Sequence, residues 1–210
     1  TFRNVTFTGY IGAISFGEYR MGYDGSRFNH NNYLENVVLK NFTNHYPVRD
    51  AGVYDNSGNY NGNHISPSIM IYGNSTLKNC TMTGSKTLSP TEDFCCDLGI
   101  AAQSNVIIEG GEYENAYLWA QSKTTIQGAK FKKIVAGVLN HTNTDLVIKA
   151  GTEIDTLYIA WGDVFSSYSP KFTIEAGAKI NVLDYTGIKS TNRGKVNIAE
   201  GTVTTIIENH

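Results

Sequence analysis

Residues 2–9 read FRNVTFTG and residues 77–84 read LKNCTMTG. A chain that writes one phrase twice needs the same local structure twice, and this requirement narrows the possible folds more than any other feature. Further copies are LENVVLKN at 34–41, IEGGEYEN at 108–115 and IQGAKFKK at 126–133. Looser copies are IKAGTEID at 148–155, IEAGAKIN at 174–181 and IAEGTVTT at 198–205. Each begins with a large apolar anchor and a polar residue. One or two residues of Asn, Gly, Ala or another small type follow, and a second apolar or aromatic residue comes five or six places after the anchor.

The anchors are Phe2, Leu34, Leu77, Ile108, Ile126, Ile148, Ile174 and Ile198, spaced by 32, 43, 31, 18, 22, 26 and 24 residues. An apolar residue two places before several of them (Val106, Leu146, Phe172, Val196) gives the alternation of a strand with one buried face. Asn4, Asn36, Asn79, Gly110 and Gly128 fall two places past their anchors, where the chain must bend. These residue types accept positive φ at least cost. Gly151, Gly177 and Gly201 fall three places past, so the corner changes type in the last copies. The strand resumes at Phe7, Leu39, Met82, Tyr113, Phe131, Ile154 and Ile180.

Repeats of this length, each with short strands and a corner, predict a solenoid in which every strand pairs in parallel with its equivalent one turn away. The leucine-rich-repeat framework is missing. Helical repeats need a persistent 3.6-residue apolar stripe, and none is present. A β-sandwich remains an alternative, but it has no need of one corner repeated eight times. The expected fold is all-β, a right-handed single-stranded parallel β-helix of about eight rungs, its hand taken from the preference for right-handed crossovers. One β-helix segment covers 1–210, with long inserted loops in 1–107 and shorter connections in 108–210.

The anchor–charged–Asn–Val/Cys–x–Phe/Met phrase resembles the rungs of parallel β-helices of the pectate-lyase-like type, over Phe2 to about Ile207. The TIEAGAKI phrasing at 173–180 resembles, more loosely, tail-associated and surface proteins of bacteria and their phages. The first resemblance implies a fold more than an activity, because that scaffold carries lyases, hydrolases, adhesins and tailspikes.

Composition agrees with a turn-rich β protein. Apolar residues make up 40% and charged residues 17%. The net charge of −2 gives no electrostatic case for nucleic acid. No stretch approaches the roughly 18 apolar residues of a membrane span. The three cysteines, Cys80, Cys95 and Cys96, have neither the even count of a disulfide scaffold nor metal-ligand spacing. That usage fits assembly in a reducing compartment. Cys80 takes the place of Val5 and Val37 in other copies, which assigns it to the core. No metal or other cofactor is expected.

Function is sought where the repeat is interrupted. The long spacings insert polar, aromatic-rich segments at 22–33, 44–66 and 84–97. Insertions in solenoids are common binding sites, and the structural alternative is surface decoration or contact with a neighbouring chain. Arg49, Asp50, Asp55 and His64 form the densest ionisable group. In a β-helix polysaccharide enzyme, two carboxylates act as acid and as base or nucleophile, so Asp50, Asp55 and His64 are the catalytic candidates. The N-T-D, D-D and G-H-G elements that the polygalacturonase resemblance demands are missing, and solvated loop charges are the plainer reading. Candidates for ligand contact are Arg49, Tyr54, Tyr60, Tyr117 and Trp161, since exposed aromatics stack on sugar faces. Trp119 fits a core position equally well. Asn-x-Ser/Thr sequences occur at Asn4, Asn41, Asn74, Asn79 and Asn140, weak signals in a chain this rich in those residues.

The leading expectation is therefore a non-enzymatic structural and recognition module of a phage tail or bacterial surface protein, contacting a cell-surface glycan. A polysaccharide lyase or glycoside hydrolase and a purely architectural spacer are the alternatives. Because Thr1 opens almost on a strand, the chain reads as a piece of a longer one. A cap from upstream sequence or from a partner subunit is expected, the latter in a homo-oligomer such as the trimer of tailspike-like proteins or in a larger assembly.

Overall fold

A computed structural model describes residues 1–9, 14–16, 31–44, 65–87, 94–101, 104–119, 122–138, 145–159, 171–184 and 196–208, with the backbone alone described at 44, 65–67, 87, 94–96, 119, 137–138 and 171. Every regular element among these residues is a strand. All the strand pairings are parallel, and 17 strands form one continuous sheet wound into a solenoid.

The eight anchors form one unbroken ladder. Phe2 pairs with Leu34, Leu34 with Leu77, Leu77 with Ile108, Ile108 with Ile126, and so on through Ile148 and Ile174 to Ile198. The strands carrying them make the first face: β1 (Phe2–Arg3), β4 (Asn31–Glu35), the start of β8 (Asn74–Thr83), the start of β11 (Asn105–Trp119), β12 (Lys123–Gln127), β14 (Asp145–Ile148), β16 (Lys171–Ile174) and β18 (Val196–Ile198). The second apolar residues form a parallel ladder from Phe7 through Leu39, Met82, Tyr113, Phe131, Ile154 and Ile180 to Val203. This second face is built from β2 (Thr6–Thr8), β5 (Val38–Lys40), the end of β8, the middle of β11, and the starts of β13 (Lys130–Val138), β15 (Glu153–Ile159), β17 (Lys179–Asp184) and β19 (Val203–Ile207).

A third face completes each turn. It stacks Ile14, Ile69, Leu98, Ala116, Ile134, Leu157, Leu183 and Ile206 in register. In the early turns it uses separate strands, β3 (Ile14–Phe16), β7 (Ile65–Ile71) and β10 (Phe94–Ile100). From β11 onward one strand runs through the second and third faces without a break. Among the described residues the stack has eight rungs, one per anchor. The three inward columns interdigitate into one core, including the stacked rings of Tyr113 and Phe131 at 4.7 Å.

The corner between the first and second faces follows the residue pattern. Asn4, Asn36 and Asn79 hold φ of 54°, 53° and 49°, and Gly110 and Gly128 hold 71° and 66°. In the later copies, Thr152, Ala178 and Thr202 donate their N–H to the carbonyls of Lys149, Glu175 and Ala199. Each of these is a β-turn whose third residue is a glycine at positive φ, as such a turn requires. That is the change of corner type: a hydrogen-bonded four-residue turn replaces a single left-handed residue.

Outward residues on the first face make a ladder of opposite charges. Glu35 sits between Arg3 at 3.0 Å and Lys78 at 3.4 Å, and Lys78 is followed in register by Glu109. Cross-strand pairs of this kind stabilise neighbouring strands and fix their register.

Phe2 lies in the inward column as expected but is 45% exposed, because no described rung lies beneath it. Its ring meets the edge of Phe16, with centroids 5.1 Å apart.

Candidate functional site

Two of the insertions leave the scaffold side by side. In the second rung the chain passes from β5 to β6 (Thr43–Asn44), and in the third from β8 to β9 (Lys86–Thr87). These two short strands pair in parallel, Thr43 with Lys86 and Asn44 with Thr87, as a small separate sheet. Residues 45–64 and 88–93 follow directly, and each insertion returns to the third face through β7 and β10, which also pair. Both insertions therefore spring from the corner between the second and third faces, on adjacent rungs. The segment around 22–33 belongs to a different corner, where β3 gives way to β4.

The expected loop boundaries shrink accordingly. Asn31, Asn32 and Tyr33 are in β4, Ile65 and Ser66 are in β7, and Phe94 to Asp97 are in β10. Asn32 shows how tightly that edge is held: its side-chain amide donates to the carbonyl of Tyr72 and to the hydroxyl of Ser75, each at 3.0 Å.

At the root of the second insertion, two carboxylates hold two consecutive backbone amides. Gly84, at φ 76°, donates its N–H to Glu114 Oε2 at 2.9 Å. Ser85 donates its N–H to Asp97 Oδ1 at 2.9 Å, and the other oxygen of Asp97 accepts from the N–H of Asn115 at 3.0 Å. Asp97 is thus a buried clamp joining the start of the insertion, its return strand and the next rung. Burial pushes its carboxyl above the ordinary range, against the pull of the Ser85 and Asn115 donors, and Glu114 nearby adds to the rise. Glu114 behaves oppositely. Lys132 bonds its second oxygen at 2.9 Å, and that bond together with the Gly84 amide holds its carboxyl below the usual range. With a partner on each oxygen of both groups, the pair anchors the root of the insertion to the next rung.

Asp97 carries no signal in the repeat phrase. The hint was its place one residue before Leu98, at the return of an insertion, where alternation puts it out of phase with the inward residues.

Of the sequence-derived candidates, Arg49, Asp50, Tyr54, Asp55, Tyr60, His64 and Trp161 lie outside the described residues. Tyr117 is described, and its assignment to surface contact is corrected. It occupies the outward register of the third face, between Gly99 and Val135 of the adjoining rungs. Yet it is only 1% exposed, and Met70 and Val135 in the same column are buried too. From Met70 to Val135 this outward column is covered, so the Tyr117 ring is not free to stack on a ligand. Trp119 ends β11 and pairs with Val138 across a register shift.

Cys80 is fully buried, as its place in the Val5–Val37 column implied. Burial pushes its thiol up, which disfavours the reactive thiolate form. Cys95 and Cys96 lie in β10, leading to Leu98 and Ile100. Among the described residues no group of three or more His, Cys, Asp or Glu side chains is placed to hold a metal ion.

Three of the Asn-x-Thr sequences have a structural origin. Asn4, Asn41 and Asn79 are all corner residues at positive φ. The x positions, Val5, Phe42 and Cys80, turn inward, and the threonine that follows begins or continues the next strand. The motif is the corner itself.

Comparison with known protein families, curated proteins and solved structures gives no match for this chain.

Proposed function

We propose that the protein is a non-enzymatic structural and recognition module. The rigid β-helix carries segments 22–33, 44–66 and 84–97 to a cell-surface glycan. One observation carries this reading: the pairing of Thr43 with Lys86 and of Asn44 with Thr87, which delivers two of the insertions from one corner of the scaffold. A solenoid that served only as a spacer has no use for two insertions with a shared, hydrogen-bonded root. The 44–66 segment is rich in tyrosine and asparagine, which suit polar, stacking recognition of sugars. The resemblance to pectate-lyase-like rungs, and the looser one to tail and surface proteins, support a setting in a phage tail or on a bacterial surface.

The test is a glycan array probed with the intact chain and with a variant in which 46–63 is replaced by a short Gly-Ser linker. Specific binding by the intact chain, lost in a variant with an unchanged far-ultraviolet spectrum, supports the proposal. No binding by the intact chain rejects it in favour of a spacer. Shortening of capsular or pectin-type polymers on incubation, abolished by Asp50→Asn or Asp55→Asn, rejects it in favour of an enzyme.

A further inference from the structure

Resting on the recognition role given to segments 44–66 and 84–97, we propose that Glu114 and Asp97 are positioning residues for both. The fourth rung acts as a splint across the break that these insertions open in the second and third rungs.

The register defines the break. Met82 of the third rung pairs with Tyr113 of the fourth, and Leu98 of the third with Ala116 of the fourth. Between those pairs the fourth rung has only Glu114 and Asn115, whereas the third has Thr83 and the whole of 84–97. The second rung makes a similar excursion, since Leu39 pairs with Met82 and Ile69 with Leu98. Two interrupted rungs thus lie beside one uninterrupted strand, β11.

That strand is bonded on both sides of the break. The Glu114 carboxylate accepts the N–H of Gly84, where the chain leaves, and the Asn115 N–H goes to Asp97, where the chain returns. Here a carboxylate takes the place of the backbone carbonyl that a regular ladder supplies. The other oxygen of Asp97 accepts the N–H of Ser85, so exit and return are also tied to each other. Lys132, one rung further on, holds the second oxygen of Glu114. Charged acceptors make stronger hydrogen bonds than neutral ones, which suits them to bridging a gap in a sheet.

The hold reaches the second rung. Asn41 donates its N–H to the carbonyl of Thr83 at 3.0 Å, and its side-chain oxygen fills the place that a β-carbon on Gly84 would need. Gly84 is therefore fixed between Asn41 of the second rung and Glu114 of the fourth. Two residues on, Lys86 donates its N–H to the carbonyl of Phe42 at 2.8 Å, at the start of the β6–β9 pair. Fixing Gly84 and Ser85 sets the heading of Lys86 and Thr87, and their pairing sets that of Thr43 and Asn44. The 44–66 insertion is seated through the root of the other.

The experiment is native-state hydrogen exchange on the 210-residue chain and on Glu114→Ala, Glu114→Gln and Asp97→Asn. The amides read are Gly84, Lys86 and, as a scaffold reference, Lys149, which donates to Ile126 at 2.8 Å. Lys86 is decisive, because its own bond involves neither carboxylate. Glu114→Ala is expected to speed exchange at Gly84 and Lys86 by about tenfold or more and to leave Lys149 unchanged. Asp97→Asn, with one oxygen for two N–H groups, is expected to speed Lys86 likewise. Glu114→Gln keeps an oxygen for Gly84 and is expected to restore most of the protection. Unchanged exchange at Lys86 in both Glu114→Ala and Asp97→Asn overturns the proposal, by showing that the insertions seat each other without the fourth rung. Equal losses in Glu114→Ala and Glu114→Gln, or equal losses at all three amides, overturn it too. On a glycan array, a parent that binds and a Glu114→Ala variant that binds as tightly also overturn it. A parent that binds no glycan overturns the recognition reading alone, and the exchange pattern still decides the splint.

Discussion

The side-chain amide of Asn36 donates to the side-chain oxygen of Asn4 across 3.0 Å, and both residues turn the chain in the left-handed conformation. Replacing Asn36 by Ala removes the bond and leaves at positive φ a side chain without the local polar interactions that let asparagine adopt that conformation. The left-handed penalty is about 1–2 kcal/mol, and an exposed hydrogen bond adds about 0.5 kcal/mol or more. Asn36→Gly loses the bond alone and is expected to cost clearly less. Urea unfolding of the three proteins checks this, and equal losses for Ala and Gly contradict the conformational account.

Gly111 faces the backbone of Cys80 on the adjacent rung, at φ 99°, and a β-carbon there would collide with the Cys80 carbonyl oxygen. Gly128 is also at positive φ, but a β-carbon there meets nothing within 4 Å. Gly128→Ala is therefore expected to cost only the left-handed penalty of about 1 kcal/mol. Gly111→Ala must separate two rungs and is expected to cost on the order of 3 kcal/mol or more. Thermal unfolding of the pair gives the ranking, and similar midpoints would show that the rungs can part without strain.

Asp97 should leave an unusual mark on stability against pH. Its folded carboxyl titrates above the ordinary aspartate value of about 3.9, so the folded state holds the proton more tightly than the unfolded chain. The stability this group contributes is therefore fully present below that value and is lost as pH rises through the raised folded one. Glu114, held low, acts in the opposite sense: its contribution is present above the ordinary glutamate value and is lost as pH falls. Asp97→Asn abolishes the first trend but offers one carbonyl oxygen to two N–H groups. It is expected to cost about 1–3 kcal/mol at neutral pH through the amide left unpaired. Unfolding midpoints across acidic pH, for parent and variant, decide this. A variant whose stability falls with pH as the parent's does refutes the assignment.

Cys80 should resist iodoacetamide in the native protein and react fully after denaturation, as read by peptide mass mapping. Cys80→Val is expected to be tolerated within about 1.5 kcal/mol, because valine fills this column at Val5 and Val37 and the space opposite Cys80 is Gly111. Rapid native labelling of Cys80 would mean that the core opens far more readily than its burial implies.

The columns and first corners were legible because they are local. A strand with one buried face alternates, and a left-handed corner needs Asn or Gly, so Leu34, Leu77 and Ile108 could be aligned from sequence with their corners. The third face was harder to read. Ile69 and Leu98 are separated from their own second-face strands by insertions, and nothing in the intervening residues announces a return to the same sheet. Tyr117 and Asp97 show a further limit. Each is out of phase with the inward residues, which by alternation alone means exposed, and each is buried by contacts far along the chain. Phe2 erred in the other direction: its place in the column was right, but its burial depends on a rung that alternation cannot supply.

The charges of Arg3, Glu35 and Lys78 work as a parity check on the stack. Rungs in register bring unlike charges together, whereas removing the second rung would set Arg3 against Lys78. A solenoid marked in this way can lose or duplicate rungs in pairs without electrostatic conflict, but not singly. Growth of the scaffold by internal duplication is then constrained to even steps along this edge, while the corners on the far side stay open to insertions of any length.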